Sequence, residues 1–227
     1  LSATKMNLVF PFLSVLLGAL LVIFGLTKSQ KQWRLLLAFS GAFLLSTTIT
    51  SLLPEIFAHA NTNISYWILA GIVVQVVLEN ISKGAEHGHI HIHNSSKLPW
   101  TLVLGLSLHA FIEGFPVHNH NQLLWAIVIH KLPIAMLLTA ALWQTKTSMR
   151  LRIGLLIGFA LMTPLGSYLN ANLVFFQPFV VQSTALVAGV TLHISTTILF
   201  ESAENHKFNT SKIAVIFFGL GIAALLS

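Results

Sequence analysis

The chain has 227 residues, 55% of them apolar and 8% charged, with a mean hydropathy of +0.82; a soluble domain carries roughly 25% charged residues, so a water-soluble fold is excluded. It contains no cysteine, which removes disulfide frameworks, thiolate metal sites and cysteine nucleophiles and leaves His, Glu, Asn, Ser and Thr as metal ligands. The formal net charge of +6 is spread between apolar runs rather than gathered in a patch, so it reports orientation in a bilayer and not nucleic-acid binding.

With about 20 apolar residues needed per crossing, the sequence predicts an all-α membrane protein, a bundle of eight transmembrane helices. The expected spans are Asn7 to Leu26, Trp33 to Leu53, Tyr66 to Ile81, Leu98 to Val117, Gln122 to Trp143, Leu151 to Asn170, Phe179 to Phe200 and Lys212 to Leu226. No stretch is left for a soluble domain, so residues 1–227 are read as one transmembrane domain. The third span is the weakest, being short and running into Glu79. Short turns around spans four, five and six predict that these three pack as antiparallel neighbours in one hairpin bundle.

The basic residues fix an expected orientation. Lys28, Lys31, Arg34, Lys83, Lys97, Lys146, Arg150, Arg152, Lys207 and Lys212 fall in or beside the four loops on one face, and only Lys5 lies on the other. The positive-inside rule then places both termini outside and the four basic loops in the cytoplasm. The first apolar run has neither a basic leader nor a small-residue cleavage pattern, so no cleavable signal peptide is expected. A chain that starts at Leu1 without Met is expected to have lost its true start.

Ionisable side chains inside a span cost a few kcal/mol each and are functional hypotheses by default. His109 and Glu113 in span four are four residues apart and share a helical face, ahead of Gly114 and Pro116; in span five His130 and Lys131 precede Pro133. Counted at 1.5 Å per residue, both histidines lie roughly 12 Å below the outer surface, so they can meet. Two imidazoles and a carboxylate at one depth suit a divalent ion of borderline softness such as Zn²⁺. The alternative is that the imidazoles bond only to backbone or to each other and Glu113 is protonated.

The stretch His109-Ala-Phe-Ile-Glu113-Gly114, followed by His130-Lys131-Leu-Pro133, resembles the paired fourth and fifth helices of the ZIP (Zrt/Irt-like) family of divalent metal transporters. Weaker likenesses are Leu52-Leu53-Pro54-Glu55, Thr163-Pro164-Leu165-Gly166 and Ala188-Gly189. The resemblance implies eight spans, both termini outside, a His-rich cytoplasmic loop between spans three and four, and a carrier rather than an enzyme. It implies zinc as the transported substrate, with Cd²⁺ and Fe²⁺ as further candidate cargo. Family members with a two-metal centre carry ligands where this chain has Ala110, Lys131, Ile134 and Thr163. A single-metal site of His109, Glu113 and His130 is therefore expected, with Lys131 in place of a second-metal ligand. Losing the acid at Ile134 favours Zn²⁺ over harder cations such as Mg²⁺ and Mn²⁺. Gly105, Gly114 and Gly166 are expected at close helix approaches.

Other polar groups mark a candidate pathway: Glu55, His59, His118 and His120 on the outer side, His193 with Ser195, Thr196 and Thr197 in span seven, and Glu79, Glu201, Glu204 and His206 towards the cytoplasm. The family places its span-seven acid about one turn before Glu201, at Ile198. The loop from Ser82 to Lys97 carries His87, His89, His91 and His93, whose alternate spacing suits an extended chain that binds metal weakly. Expected partners are the ion and the lipid bilayer, with a homodimer as a candidate assembly and no nucleic acid; the expected location is a plasma membrane or a bacterial inner membrane. A membrane histidine-box oxidase or hydroxylase is the competing class, but it needs histidine pairs at helical spacing on the cytoplasmic face. The chain has no His-Glu-x-x-His for an intramembrane zinc protease, and neither the Asp pairs nor the soluble domain expected of a diffusion-facilitator exporter.

Neutral imidazoles bind zinc and protonated ones do not, so the loop's affinity should fall as pH drops through about 6.5. A peptide spanning Ser82 to Lys97 is expected to bind zinc by calorimetry at neutral pH and to lose it near about pH 5. Deleting His87 to His93 should leave transport at saturating metal largely intact; arrested uptake by a correctly inserted deletion variant would make the loop part of the conduction path.

Overall fold

Lipid offers no partner for backbone N–H and C=O groups, so a chain this apolar can cross a bilayer only as helices or a closed barrel. A computed structural model describes residues 3–26, 30–58, 63–82, 84, 98–201 and 210–226; the histidines of the 82–97 loop, together with His59, Glu204 and His206, lie outside them. The described residues form eight helices: α1 (Ala3–Ile23), α2 (Gln30–Thr47, then a π-helical turn Thr48–Leu52 and a last segment Leu53–Ala58), α3 (Ile64–Ser82), α4 (Trp100–Glu113), α5 (Asn121–Trp143), α6 (Met149–Asn172), α7 (Val180–Glu201) and α8 (Thr210–Leu226). Seven are long and apolar enough to cross a membrane, and α8 is shorter, at 17 residues. The chain is a multi-pass membrane protein.

Two local features differ from the expected spans. The third is no weak element, since α3 runs for 19 residues. The fourth stops being α-helical at Glu113 and continues as a 3-10 turn, Phe115–His118. Pro116 has no N–H to offer an α-helical bond, and the Gly114 N–H shifts forward to Phe111 O and Ile112 O.

The helices pack in two groups. In one, α1 lies along α5 and α6, and α4 lies along α6; in the other, α2 packs against α7 and α8, and α3 against α7. The groups meet where α2 touches α5 and α3 touches α4. The expected hairpin bundle of spans four, five and six is corrected in part: α4 and α6 pack together, but α5 lies mainly along α1 and α2 and meets α4 and α6 through a few long side chains. Short connecting turns made these helices antiparallel but did not decide which faces pack. Ser14 on α1 donates to Val128 O at 2.6 Å, and Phe10 stacks on Trp125 with ring centroids 5.2 Å apart.

Helix association in lipid gains little from the hydrophobic effect and depends on close van der Waals contact over small residues. The α3–α7 contact is the tightest case: a Cβ on Gly71 would overlap the Leu186 carbonyl, and one on Gly189 would overlap the Ile68 carbonyl. Gly105, Gly114 and Gly166 also lie against neighbouring helices, as expected. The hydroxyls of Ser195, Thr196 and Thr197 bond back to carbonyls three or four residues earlier in α7, so they serve the helix itself.

Gly71→Ala and Gly189→Ala are each expected to destabilise the protein by about 1–3 kcal/mol, the usual cost of overpacking. Gly154→Ala and Gly158→Ala, where an added Cβ meets nothing, should be neutral or stabilise by up to about 1 kcal/mol. Thermal unfolding of the detergent-solubilised variants checks the contrast.

Candidate functional site

The C-terminal turn of α4 carries His109 and Glu113 on one face, with His109 Nε2 3.2 Å from Glu113 Oε2. Across from them, α5 presents His130 and Lys131. The His130 ring stands edge-on to that of His109 with centroids 6.1 Å apart, and the Lys131 ammonium forms an ion pair with the other carboxylate oxygen, Glu113 Oε1. All four residues are buried, none more than 2% exposed. The Lys131 ammonium also lies over Phe159 of α6, with Nζ 5.0 Å from the ring centroid, a favourable place for a cation.

Local backbone chemistry helps to build this corner. Because α4 tightens to 3-10 spacing at Gly114, the Ala110 carbonyl loses its helical partner, one of the orphan groups of a helix end. Thr163 Oγ1 of α6 takes that carbonyl at 2.7 Å and stands 3.2 Å from Glu113 Oε1. Such proximity requires α4 and α6 to touch at the backbone. A Cβ on Gly114 would overlap the Thr163 carbonyl, and one on Gly166 the Phe111 carbonyl.

On the opposite side, Gln75 of α3 places Oε1 3.2 Å from His109 Nδ1. With that oxygen as acceptor, Nδ1 carries the proton and Nε2 of a neutral imidazole is a lone pair, aimed towards Glu113 Oε2. In that tautomer Nε2 and Oε2, 3.2 Å apart, are both acceptors and can share a cation or a proton. Gln75 was not among the residues the sequence singled out; the available signal was an amide in an apolar stretch, four residues before Glu79. Among the described residues no three His, Asp or Glu side chains already close around one point: Lys131 occupies one oxygen of Glu113, and His130 meets His109 rather than the carboxylate.

The other sequence candidates are paired two by two. At the end of the molecule where α4 turns into α5, His120 Nδ1 is 3.0 Å from Glu55 Oε2 of α2. His118 instead turns Nδ1 back onto Phe115 O at 3.0 Å. Burial pushes the His120 imidazole below its usual value, Glu55 pulls it back up and His118 pushes it down again. Towards the other end, His193 Nε2 of α7 lies 2.6 Å from Glu79 Oε2 of α3, both half-buried. Glu201 closes α7, and its side chain is outside the described residues.

No curated protein sequence matches the chain. The family model described as ZIP Zinc transporter matches residues 79–227, which takes in α4 to α8 and with them His109, Glu113, His130, Lys131 and Thr163. A transporter of this kind moves metal ions and transforms nothing chemically. With more than half of its length matched, the chain belongs to the ZIP zinc transporter family.

Proposed function

We propose that the protein carries zinc into the cytoplasm by alternating access, holding one ion at a time between α4 and α5. The carrying observation is the asymmetric use of Glu113: Lys131 and Thr163 take Oε1, while Oε2 faces Nε2 of His109 at 3.2 Å. An ion entering there takes Oε2 and His109 Nε2 as ligands, and a turn of the His130 ring supplies the third. Water completes a tetrahedral set of the kind zinc accepts. Gln75 then does what an outer carbonyl does for a metal-bound histidine, fixing tautomer and ring orientation. Lys131 provides a positive charge where a two-metal centre would hold its second cation.

The remaining features support direction and selectivity. Ten basic residues beside four loops against one on the other face orient the termini outside, in a plasma or bacterial inner membrane. Two imidazoles and one carboxylate favour Zn²⁺, with Cd²⁺ and Fe²⁺ as candidate cargo, over hard cations that require several oxygens. The site residues belong to the α1, α4, α5 and α6 group and touch the second group at Gln75, so sliding one group past the other would re-expose the ion without dismantling its ligands. The pair Glu79–His193 lies on the same face of α3 one turn beyond Gln75 and marks the cytoplasmic continuation of the route.

His109→Ala, Glu113→Ala and His130→Ala are each expected to lower zinc uptake into proteoliposomes to background while the protein stays monodisperse and inserted. Wild-type rates in two of the three would sink the assignment.

Metal stoichiometry supplies an independent check: the membrane site should account for one equivalent, read as the difference in zinc bound by the wild type and the His109→Ala, His130→Ala double variant. Two ions at full occupancy within about 4 Å, the spacing of binuclear centres, would refute the single-ion site.

A further inference from the structure

We propose that Glu55 and His120 form a second divalent-metal site, at the mouth of the protein, that captures the ion before it descends to Glu113. The proposal rests on the transport reading for its purpose, but not for its chemistry. Glu55 Oε2 and His120 Nδ1 are 3.0 Å apart. Two ligands of one tetrahedral zinc, each bonded at about 2.0–2.1 Å, stand roughly 3.3 Å from one another, so this pair already has nearly the separation of adjacent coordination positions. The two side chains come from different helix groups, and they converge across a cavity rather than in a packed seam.

That cavity has a volume of about 140 Å³ and is walled by Glu55, Ile56, Asn119, His120, Val181 and Thr184 among others. One water needs about 10–15 Å³ of such space, so an ion fits there with its remaining water ligands. The apolar wall of Ile56, Val180 and Val181 leaves the carboxylate and the imidazole as the dominant donors, with the Asn119 amide and the Thr184 hydroxyl within the lining. The two ligands differ in a useful way. Glu55 is half exposed, at 50% of its side-chain surface, and can meet a hydrated ion; His120 is only 8% exposed. Its backbone is pinned at the start of α5, where its N–H donates to Val117 O at 3.3 Å and its carbonyl accepts from Leu124 N at 3.0 Å. One reachable carboxylate beside one pre-positioned imidazole describes a docking point for a borderline divalent cation. With only two firm protein ligands, exchange is fast, as capture and handover require. An ion bound there bridges α2 to the start of α5 and so spans both helix groups.

The cysteine-free sequence gives a direct test that needs no transport. In the His120→Cys variant the introduced thiol is the chain's sole alkylation target, and cadmium, a soft ion suited to thiolate, should protect it from a maleimide in the purified full-length protein. Adding Glu55→Gln should weaken that protection by about tenfold in cadmium concentration, the low end of what a lost partner group costs a metal site. The same protection should persist when His109→Ala and His130→Ala disable the buried site, which separates this proposal from the transport reading. In proteoliposomes of otherwise wild-type protein, Glu55→Gln and His120→Ala should raise the zinc KM by about tenfold with kcat within about twofold. Alkylation that cadmium does not slow, or slows equally with and without Glu55, overturns the site. So does an unchanged KM in both variants.

Discussion

A carboxylate buried inside a bilayer governs the arrangement around it. Leaving a charged side chain at the centre of a span costs about 2.5–3.5 kcal/mol on insertion scales, and a buried charge deprived of its partner costs about 3–5 kcal/mol. Glu113 answers this with a full set of partners: the Lys131 ammonium and the Thr163 hydroxyl on one oxygen, and the His109 ring beside the other. Those partners come from α4, α5 and α6, so the carboxylate binds together three helices of one group. The close backbone contacts at Gly114 and Gly166 follow from it, because Thr163 reaches Glu113 only if α4 and α6 touch.

The same constraint bears on where polar side chains in the helices find partners. Hydroxyls in α5 and α7 return to their own helices, as Thr139 does to Ala135 O and Ser195 to Thr191 O, and so add little to any route for an ion. Other hydroxyls, such as Ser14 and Thr163, bond across helices to carbonyls, and three further contacts between elements are of another kind. Gln75 meets His109, Glu79 meets His193, and Glu55 meets His120. Each of these contacts joins an acceptor oxygen to an imidazole, the donor set a borderline divalent cation prefers. They succeed one another from the α4–α5 turn towards the basic-loop end.

Much of this was legible in the sequence for physical reasons. Apolar runs must become helices in lipid, so the spans could be read from hydropathy; the i, i+4 spacing put His109 and Glu113 on one face; and equal depth brought His130 to them. Lys131 was legible through the family resemblance as standing in place of a second-metal ligand, and its ion pair with Glu113 accords with that charge. The helix neighbours were not legible. Loop length fixes direction but not the packing face, and the choice of α1 rather than α4 as the partner of α5 depends on side-chain shape along 20-residue surfaces. The π-helical turn in α2 and the 3-10 turn after Glu113 are tertiary adjustments of one or two hydrogen bonds, which hydropathy does not register. Gln75 carried a signal, an amide inside an apolar helix, but an amide has no charge and passes for a span residue until its partner is known.

The balance of charge around Glu113 bears on what kind of ion such a site can hold. Glu113 and Lys131 cancel, so a divalent ion would bring the proposed site to a net charge of about +2 in a medium of low effective dielectric constant. Coulomb attraction to the protein therefore contributes little to holding it. What remains is directional bonding to imidazole nitrogen, which is strong for zinc and weak for magnesium or calcium. A site built from several carboxylates would hold any divalent cation by charge and release it slowly. In the proposed site the ammonium would offset that general attraction, so selectivity would depend chiefly on the two histidines, and release would ask that their bonds and that of Glu113 Oε2 be exchanged for water. The cost of the unbalanced charge would also limit how long an ion stays at the proposed site, which suits a carrier better than a storage site.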